Sequence, residues 1–133
     1  MDTSLIKLVF CLRRAPHLTR EQFQTYWRDH HAPLVAARAQ VLGIRRYVQC
    51  HSMADEAAAG LARPRGAPAP FDGVAELWFD ANPVREGVDR EAVRRAGAEL
   101  LEDERRFIDL AASPIFYTQE NEVVRAFATD RAG

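Results

Sequence analysis

The stretch Ser4 to Arg13, SLIKLVFCLR, is apolar and rich in β-branched residues, which predicts a buried strand. APHLTREQF then stops the strand and opens a helix. Thr19 suits the N-cap and Gln22 stands at N3 to close a capping box, while Leu18 can staple to Phe23. Phe23, Trp27, His30, Leu34 and Val41 recur near one helical face, with Tyr26 and Val35 beside it. Pro33 lacks an N–H and its ring crowds the carbonyl of Asp29, so the helix is expected to kink or restart there. Gly43 ends it.

Ile44 to Ser52 reads as a second strand, with Ile44, Arg46, Val48 and Cys50 on one face and Arg45, Tyr47, Gln49 and His51 on the other. From Met53 to Pro70 the composition is that of a loop with a short helical turn at Asp55 to Leu61, long enough to suggest a lid or flap. Phe71 to Asp80 alternates as a third strand, Val74, Glu76 and Trp78 against Ala75, Leu77 and Phe79. A second helical region from about Pro83 to Leu110, interrupted near Gly97, precedes a fourth strand, Ser113 to Val123, and a frayed end.

The order β-α-β-β-α-β predicts a ferredoxin-like α+β fold with one four-stranded antiparallel sheet and both helices on one face. A single domain over 1–133 is expected, with its core at about 4–122 and a flexible loop at about 53–71. The uncovered sheet face is expected to carry Val9, Tyr47, Val74 and Trp78 among ionisable groups. That mixture suits a closed cavity better than open water, and two sheets meeting face to face in a homodimer would close it.

Charge and composition narrow the function classes. The 133 residues are 47% hydrophobic and 28% charged with a net charge of -1, a balance that points to neither nucleic acid nor a membrane surface. The apolar run at the N-terminus is shorter than a signal peptide's layout, and no segment approaches the ~18 apolar residues of a membrane span, so a cytoplasmic protein is expected. Cys11 and Cys50 form no CxxC pair and are expected to be free thiols. No GxGxxG, P-loop or HExxH is present and the four histidines are scattered, so no metal or cofactor is expected.

The chemistry-bearing residues cluster at QTYWRDHHAPLV, Gln24 to Val35. Histidine is donor, acceptor or cation near neutral pH, which makes His30 and His31 candidates for proton transfer. Helical neighbours point about 100° apart, so both cannot face one pocket. His30 falls on the stripe of Trp27 and Leu34, His31 nearer Trp27 and Val35; either can instead bond a carbonyl freed at Pro33. Tyr26 and Trp27 are candidates to bind an aromatic ligand or to build core, and Arg28, Asp29 and Arg38 to orient a histidine or to face solvent.

Beyond that cluster, His51 is a second acid/base candidate if its strand face looks into the cavity, with Tyr47 polarising a carbonyl; a one-residue slip would leave it at the rim. Asp72, Glu76 and Trp78 complete the candidate binding residues. Glu76, mid-strand, must bond Lys7 on the first strand, a histidine or a ligand, because a buried lone carboxylate costs several kcal/mol.

The segments IKLVFCLRRAP, LTREQFQTYWRDHHAPLV, FDGVAELWFD and LLEDERRFIDLAASPIFYTQE together resemble the EthD family of dimeric α/β-barrel proteins, from about Leu5 to Glu120. The run from Tyr26 and Trp27 through His31-Ala32-Pro33-Leu34 is the most specific part, and it favours His31 as the pocket residue, with His30 as the second choice. The resemblance implies paired sheets across a homodimer and an internal pocket between sheet and helices. It also implies cofactor-free proton-transfer chemistry on a small apolar aromatic or polyketide-like substrate, in a cyclisation, dehydration or oxygenation. The alternative is an oxidoreductase-associated accessory protein that binds a pathway's substrate or product without turnover. A haem-linked member is a third possibility, although no haem-attachment motif is present.

Overall fold

Strand β1 (Leu5–Leu12) is central in the sheet, paired on both sides, and its alternate residues Leu8, Phe10 and Leu12 turn one apolar row to the interior. The computed structural model describes residues 5–54, 56–82 and 85–127. After β1 come α1 (Arg20–Tyr26), a π-helical turn (Trp27–His31), α2 (Ala32–Leu42), β2 (Arg46–His51) and α3 (Glu56–Ala62). Then follow β3 (Gly73–Asp80), α4 (Arg90–Glu104) and β4 (Ile115–Thr118). The sheet is antiparallel in the order β2-β3-β1-β4. This is the expected ferredoxin-like α+β fold.

The N-terminal signal of α1 reads out as written: Thr19 accepts from the Gln22 backbone and Gln22 returns a side-chain bond to the Thr19 N–H. At Pro33 the expected irregularity takes the form of a single wider turn, in which the Ala32 N–H reaches back five residues to the Trp27 carbonyl, and α2 follows with Pro33 in its first turn. A π turn takes up one extra residue and lets the prolyl ring pass without breaking the helix. Gln49, from β2, donates a second bond to the same Trp27 carbonyl at 3.0 Å, so a glutamine, not a histidine, serves the bend.

That turn also corrects the apolar stripe. The buried residues are Phe23, Trp27, His31 and Val35, spaced by four, whereas His30 and Val41 are exposed. On a regular α-helix a four-residue spacing drifts about 40° per step. The wider turn takes back part of that drift and keeps the four in line against the sheet.

Strand pairing sets the two sheet faces. Leu8, Phe10 and Leu12 pair with Leu77, Ala75 and Gly73, and Tyr47, Gln49 and His51 share that register, so all of them face the helices. Lys7, Val9, Val74, Glu76, Trp78, Arg46, Val48 and Phe116 lie on the opposite face. Tyr47 therefore does not join Val9, Val74 and Trp78 as expected; it is one residue out of phase with them.

Three boundaries differ from the sequence reading. Helix α4 continues through Gly97, whose open surroundings leave only the propensity cost of about 1 kcal/mol. Strand β4 spans four residues, because Pro114 cannot donate and Ser113 is used to bond the Arg13 N–H and the Asp109 carbonyl. Within the 53–71 loop, α3 is followed by a 3-10 turn at Arg63–Arg65 that ends on Gly66 at φ 58. Ser4, Asp55, Pro83 and residues 128–133 of the expected frayed end lie outside the described residues.

The core is Phe10, Leu12, Phe23, Trp27, Ala75, Phe107 and Ile108. Gly73 makes room for it: a Cβ there would stand 2.4 Å from Trp27 Cζ3 and 3.1 Å from the Cys50 carbonyl oxygen. Gly73→Ala is therefore expected to force the indole out of place and cost about 1–3 kcal/mol, measured as a lower thermal midpoint. An unchanged midpoint would show that Trp27 is loosely held.

Candidate functional site

Helix α4 ends in two adjacent carboxyl residues, Asp103 turned to the facing helix and Glu104 to the cavity beneath it. Its stripe runs Ala96, Leu100, Asp103 and Phe107, and Glu104 lies one turn after Leu100. Asp103 is buried and accepts from two donors on the facing helix: Tyr26 Oη at 2.6 Å and His31 Nδ1 at 2.7 Å. Both distances are those of bonds to an ionised carboxylate. Because that carboxylate only accepts, Nδ1 carries the imidazole proton and Nε2 of neutral His31 keeps its lone pair.

Nε2 stands 4.0 Å from Glu104 Oε2, and both residues line a cavity of about 50 Å³ between sheet and helices. Phe10, Leu12, Leu77 and Leu100 give the cavity its apolar wall. Tyr47 adds a third polar residue to the lining, its hydroxyl held by Gln49 at 2.9 Å. Phe107 packs on the Tyr26, Phe23 and His31 rings and holds the arrangement from below.

Electrostatics follow from burial. Desolvation pushes the His31 imidazole below its ordinary value, against the pull of the Asp103 carboxylate. Desolvation would raise Asp103, but the bonds from Tyr26 and His31 win and hold it below the usual carboxylate range. Tyr26 is pushed up to about 12 by burial and by Asp103. Glu104 makes no hydrogen bond among the described residues; burial, helped by the neighbouring Asp103 charge, pushes it up to about 7. A neutral imidazole and a carboxyl that keeps its proton until about pH 7 thus face one another in weakly acidic solution.

The EthD domain model matches residues 15–111, a span that includes Tyr26, His31, Tyr47, Asp103, Glu104 and Phe107. The chain belongs to the EthD domain family. A crystal structure of an EthD-like protein from Ralstonia eutropha is similar, with a TM-score of 0.50 and 21% identity over 89% of this chain and 93% of that one. A dimeric protein of unknown function and ferredoxin-like fold from Bacteroides fragilis gives 0.53 at 9% identity, covering 87% and 96%. A hypothetical Arabidopsis thaliana protein gives 0.53 at 13%, covering 94% and 97%. At these identities the likeness is one of fold. No curated protein is significantly similar in sequence.

Within this EthD domain, the sequence-predicted residues divide into three groups. His31, Trp27 and Tyr47 line the cavity, and Tyr26 reaches it through Asp103. His30 does not: it is exposed and stacks on the outer side of Tyr26 with ring centres 4.5 Å apart. His51 faces the helices but packs on the Trp27 indole and bonds Gln49, outside the cavity lining.

The remaining three are elsewhere. Asp72 is buried as an anchor, accepting from the Arg14 backbone at 2.8 Å and its guanidinium at 2.6 Å. An open cleft of about 430 Å³ lies beside it, but Arg13 and Arg14 there already bond Pro70, Leu18 and Asp72. Glu76 pairs with Lys7 at 3.3 Å on the open sheet face, and Trp78 lies there between Lys7 and Arg46 with its indole N–H donated to Glu120. Sequence reasoning missed Asp103, Glu104 and Phe107. For Asp103 and Glu104 the signal was legible as acidic residues beside the apolar positions Ala96 and Leu100 of a helix.

Among the described residues no helix is long and apolar enough to cross a membrane, and no group of three or more His, Cys, Asp or Glu side chains could hold a metal ion. Cys11 and Cys50 are free thiols.

The EthD domain should show a stability optimum near weakly acidic pH. The folded Glu104 keeps a proton that the unfolded chain releases between its ordinary 4.5 and about 7, so stability falls as pH rises through that window. The loss amounts to about 3 kcal/mol above pH 7. His31 acts at the other end: the unfolded imidazole takes up a proton first as pH drops below 6.5, and stability falls with it. Glu104→Gln is expected to raise the melting temperature at pH 8 and change it little at pH 5. An equal shift at both pH values would show that Glu104 is ionised in the folded chain throughout.

Proposed function

We propose that the protein is a homodimeric enzyme that moves a proton on a small apolar carbonyl or phenolic substrate, with His31 as the base and no cofactor required. The observation that supports it most is the 2.7 Å bond from His31 Nδ1 to the buried Asp103, which leaves the basic Nε2 in an apolar cavity. An aspartate that fixes an imidazole's tautomer and steadies the imidazolium formed during reaction is a recurrent acid–base arrangement. Tyr26 and Phe107 act as positioning residues: the hydroxyl holds the second oxygen of Asp103 and the ring packs on His31. Cyclisation, dehydration and oxygenation all begin with such a proton removal.

The small cavity also favours a second reading, an accessory protein of an oxidative degradation pathway that binds substrate or product without turnover.

Dimerisation rests on the open sheet face. Val9, Val74 and Phe116 lie there among Lys7, Arg46 and Glu76, and Phe116 is 47% exposed in the single chain. The Bacteroides fragilis protein with the similar fold is described as dimeric. Light scattering at micromolar concentration is expected to give twice the 15.0 kDa chain mass. A monomer at that concentration would argue against paired sheets.

His31→Asn keeps an N–H for Asp103 and removes Nε2. The variant is expected to stay folded and to lose a proton-transfer contribution of about 10²–10⁴-fold in rate. Before the substrate is known, binding of trifluoroethanol, an acidic alcohol small enough for the cavity, serves as the readout. In the wild type its hydroxyl donates to neutral Nε2, so affinity should fall at acidic pH once His31, depressed by burial, takes a proton. The variant should bind weakly with no such step. A variant that melts several degrees lower yet binds the alcohol as the wild type does at every pH would make His31 an architectural residue.

A further inference from the structure

Glu104 lines the cavity beside His31 and Tyr47, and it makes no hydrogen bond among the described residues. Among the described residues it closes no ion pair at hydrogen-bond distance, and its 4.0 Å separation from His31 Nε2 is too long for a direct bond. Two groups so placed can touch one small molecule at adjacent atoms. In an H–C–C=O unit the α-carbon and the carbonyl oxygen are roughly 2.4 Å apart, from bond lengths of about 1.52 and 1.23 Å. A base above the α-hydrogen and an acid at the oxygen, each at ordinary contact distance, then stand a few ångströms from one another. The volume agrees with this. One water needs about 10–15 Å³ of such space, so a cavity of about 50 Å³ accepts a carbonyl with its α-carbon but not a whole aromatic ring.

We infer that Glu104 is a catalytic acid paired with His31, and that the pair enolises ketones whose CH–C=O end enters the cavity. The inference rests on the reading of His31 as base. In the step, His31 Nε2 takes the α-proton, and the electron pair of the broken C–H bond becomes the C=C bond. The carbonyl π pair forms an O–H bond with the proton released by Glu104. The products are an enol, an imidazolium held by Asp103 and a Glu104 carboxylate facing it. Charge is conserved, no oxidant is consumed, and the reverse step returns the ketone.

The surroundings give both groups the protonation states they need. Glu104 is faced by His31 from the π turn, by Asp103 on its own helix and by Tyr47 from β2, while Arg106 lies 3.9 Å from Asp103 and the exposed His30 acts on His31 and Asp103 through its charge. Glu104 holds its proton until about pH 7, and His31, depressed below 6.5, is neutral before that point. The rate should therefore rise as His31 loses its proton and fall as Glu104 loses its own.

Because enolisation is reversible, it is read without the natural substrate. Acetophenone in heavy water exchanges its methyl hydrogens for deuterium each time the enol forms, and proton magnetic resonance follows the loss of the methyl signal. The wild-type protein is expected to accelerate this exchange over buffer with a bell-shaped pH dependence. Glu104→Gln should slow it about 10²–10⁴-fold and remove the alkaline fall. Glu104→Asp, which keeps a carboxyl group, should retain that fall at reduced rate and serves as the control should the Gln variant fold poorly.

Two results overturn the inference in different places. If Glu104→Gln exchanges as fast as the wild type while His31→Asn does not, Glu104 is no acid and the reading of His31 survives. If His31→Asn also exchanges as fast, or the wild type gives no acceleration, the ketone chemistry falls with the base.

Discussion

Pro33 has no N–H and cannot follow an ordinary helical turn without striking the carbonyl four residues before it. Much of the site depends on how the chain meets that constraint. A single π turn at Trp27–His31 absorbs it, and the Trp27 carbonyl is served by the Ala32 N–H and by Gln49. Phe23, Trp27, His31 and Val35 then form one buried line, and His30 is left outside. Wide turns of this kind are often found at functional sites, and here the turn decides which of two adjacent histidines enters the interior.

The interior position would be unfavourable for an imidazole alone. Asp103 on α4 compensates, and the cost of burying its own charge is offset in turn by Tyr26 and His31. The three side chains bind the first helix to the last, so the local geometry and the packing of the helical layer are one problem. Glu104 is the residue for which no such compensation exists, and the response of the chain is to keep it protonated. Two adjacent carboxyl groups on one helix thus differ in charge because their partners differ.

The two faces of the sheet hold different chemistry. The helix side combines an apolar wall with His31, Tyr47 and Glu104. The open side carries the Lys7–Glu76 pair and Trp78 between two cations, beside exposed Phe116. The single-residue alternation of β2 separates them, sending Tyr47 inward and Arg46 outward. Asp72 belongs to neither face and locks the β3 entrance to Arg14.

Fold was legible in the sequence because it rests on local signals that repeat. The capping box at Thr19 and Gln22, the alternation of Val74, Glu76 and Trp78, and the element order define the ferredoxin-like protomer without any knowledge of contacts. His31 was legible as a candidate, and so were Tyr26, Trp27 and Tyr47. What periodicity could not decide was phase and partnership. A stripe drawn at α-helical spacing placed His30 inside, because the extra residue of a π turn is visible only in the hydrogen bonds. Asp103 and Glu104 lie more than 70 positions along the chain from His31 and meet it only when α4 docks. Their proton states follow from burial and from bonds across that interface, and those exist only in the tertiary structure.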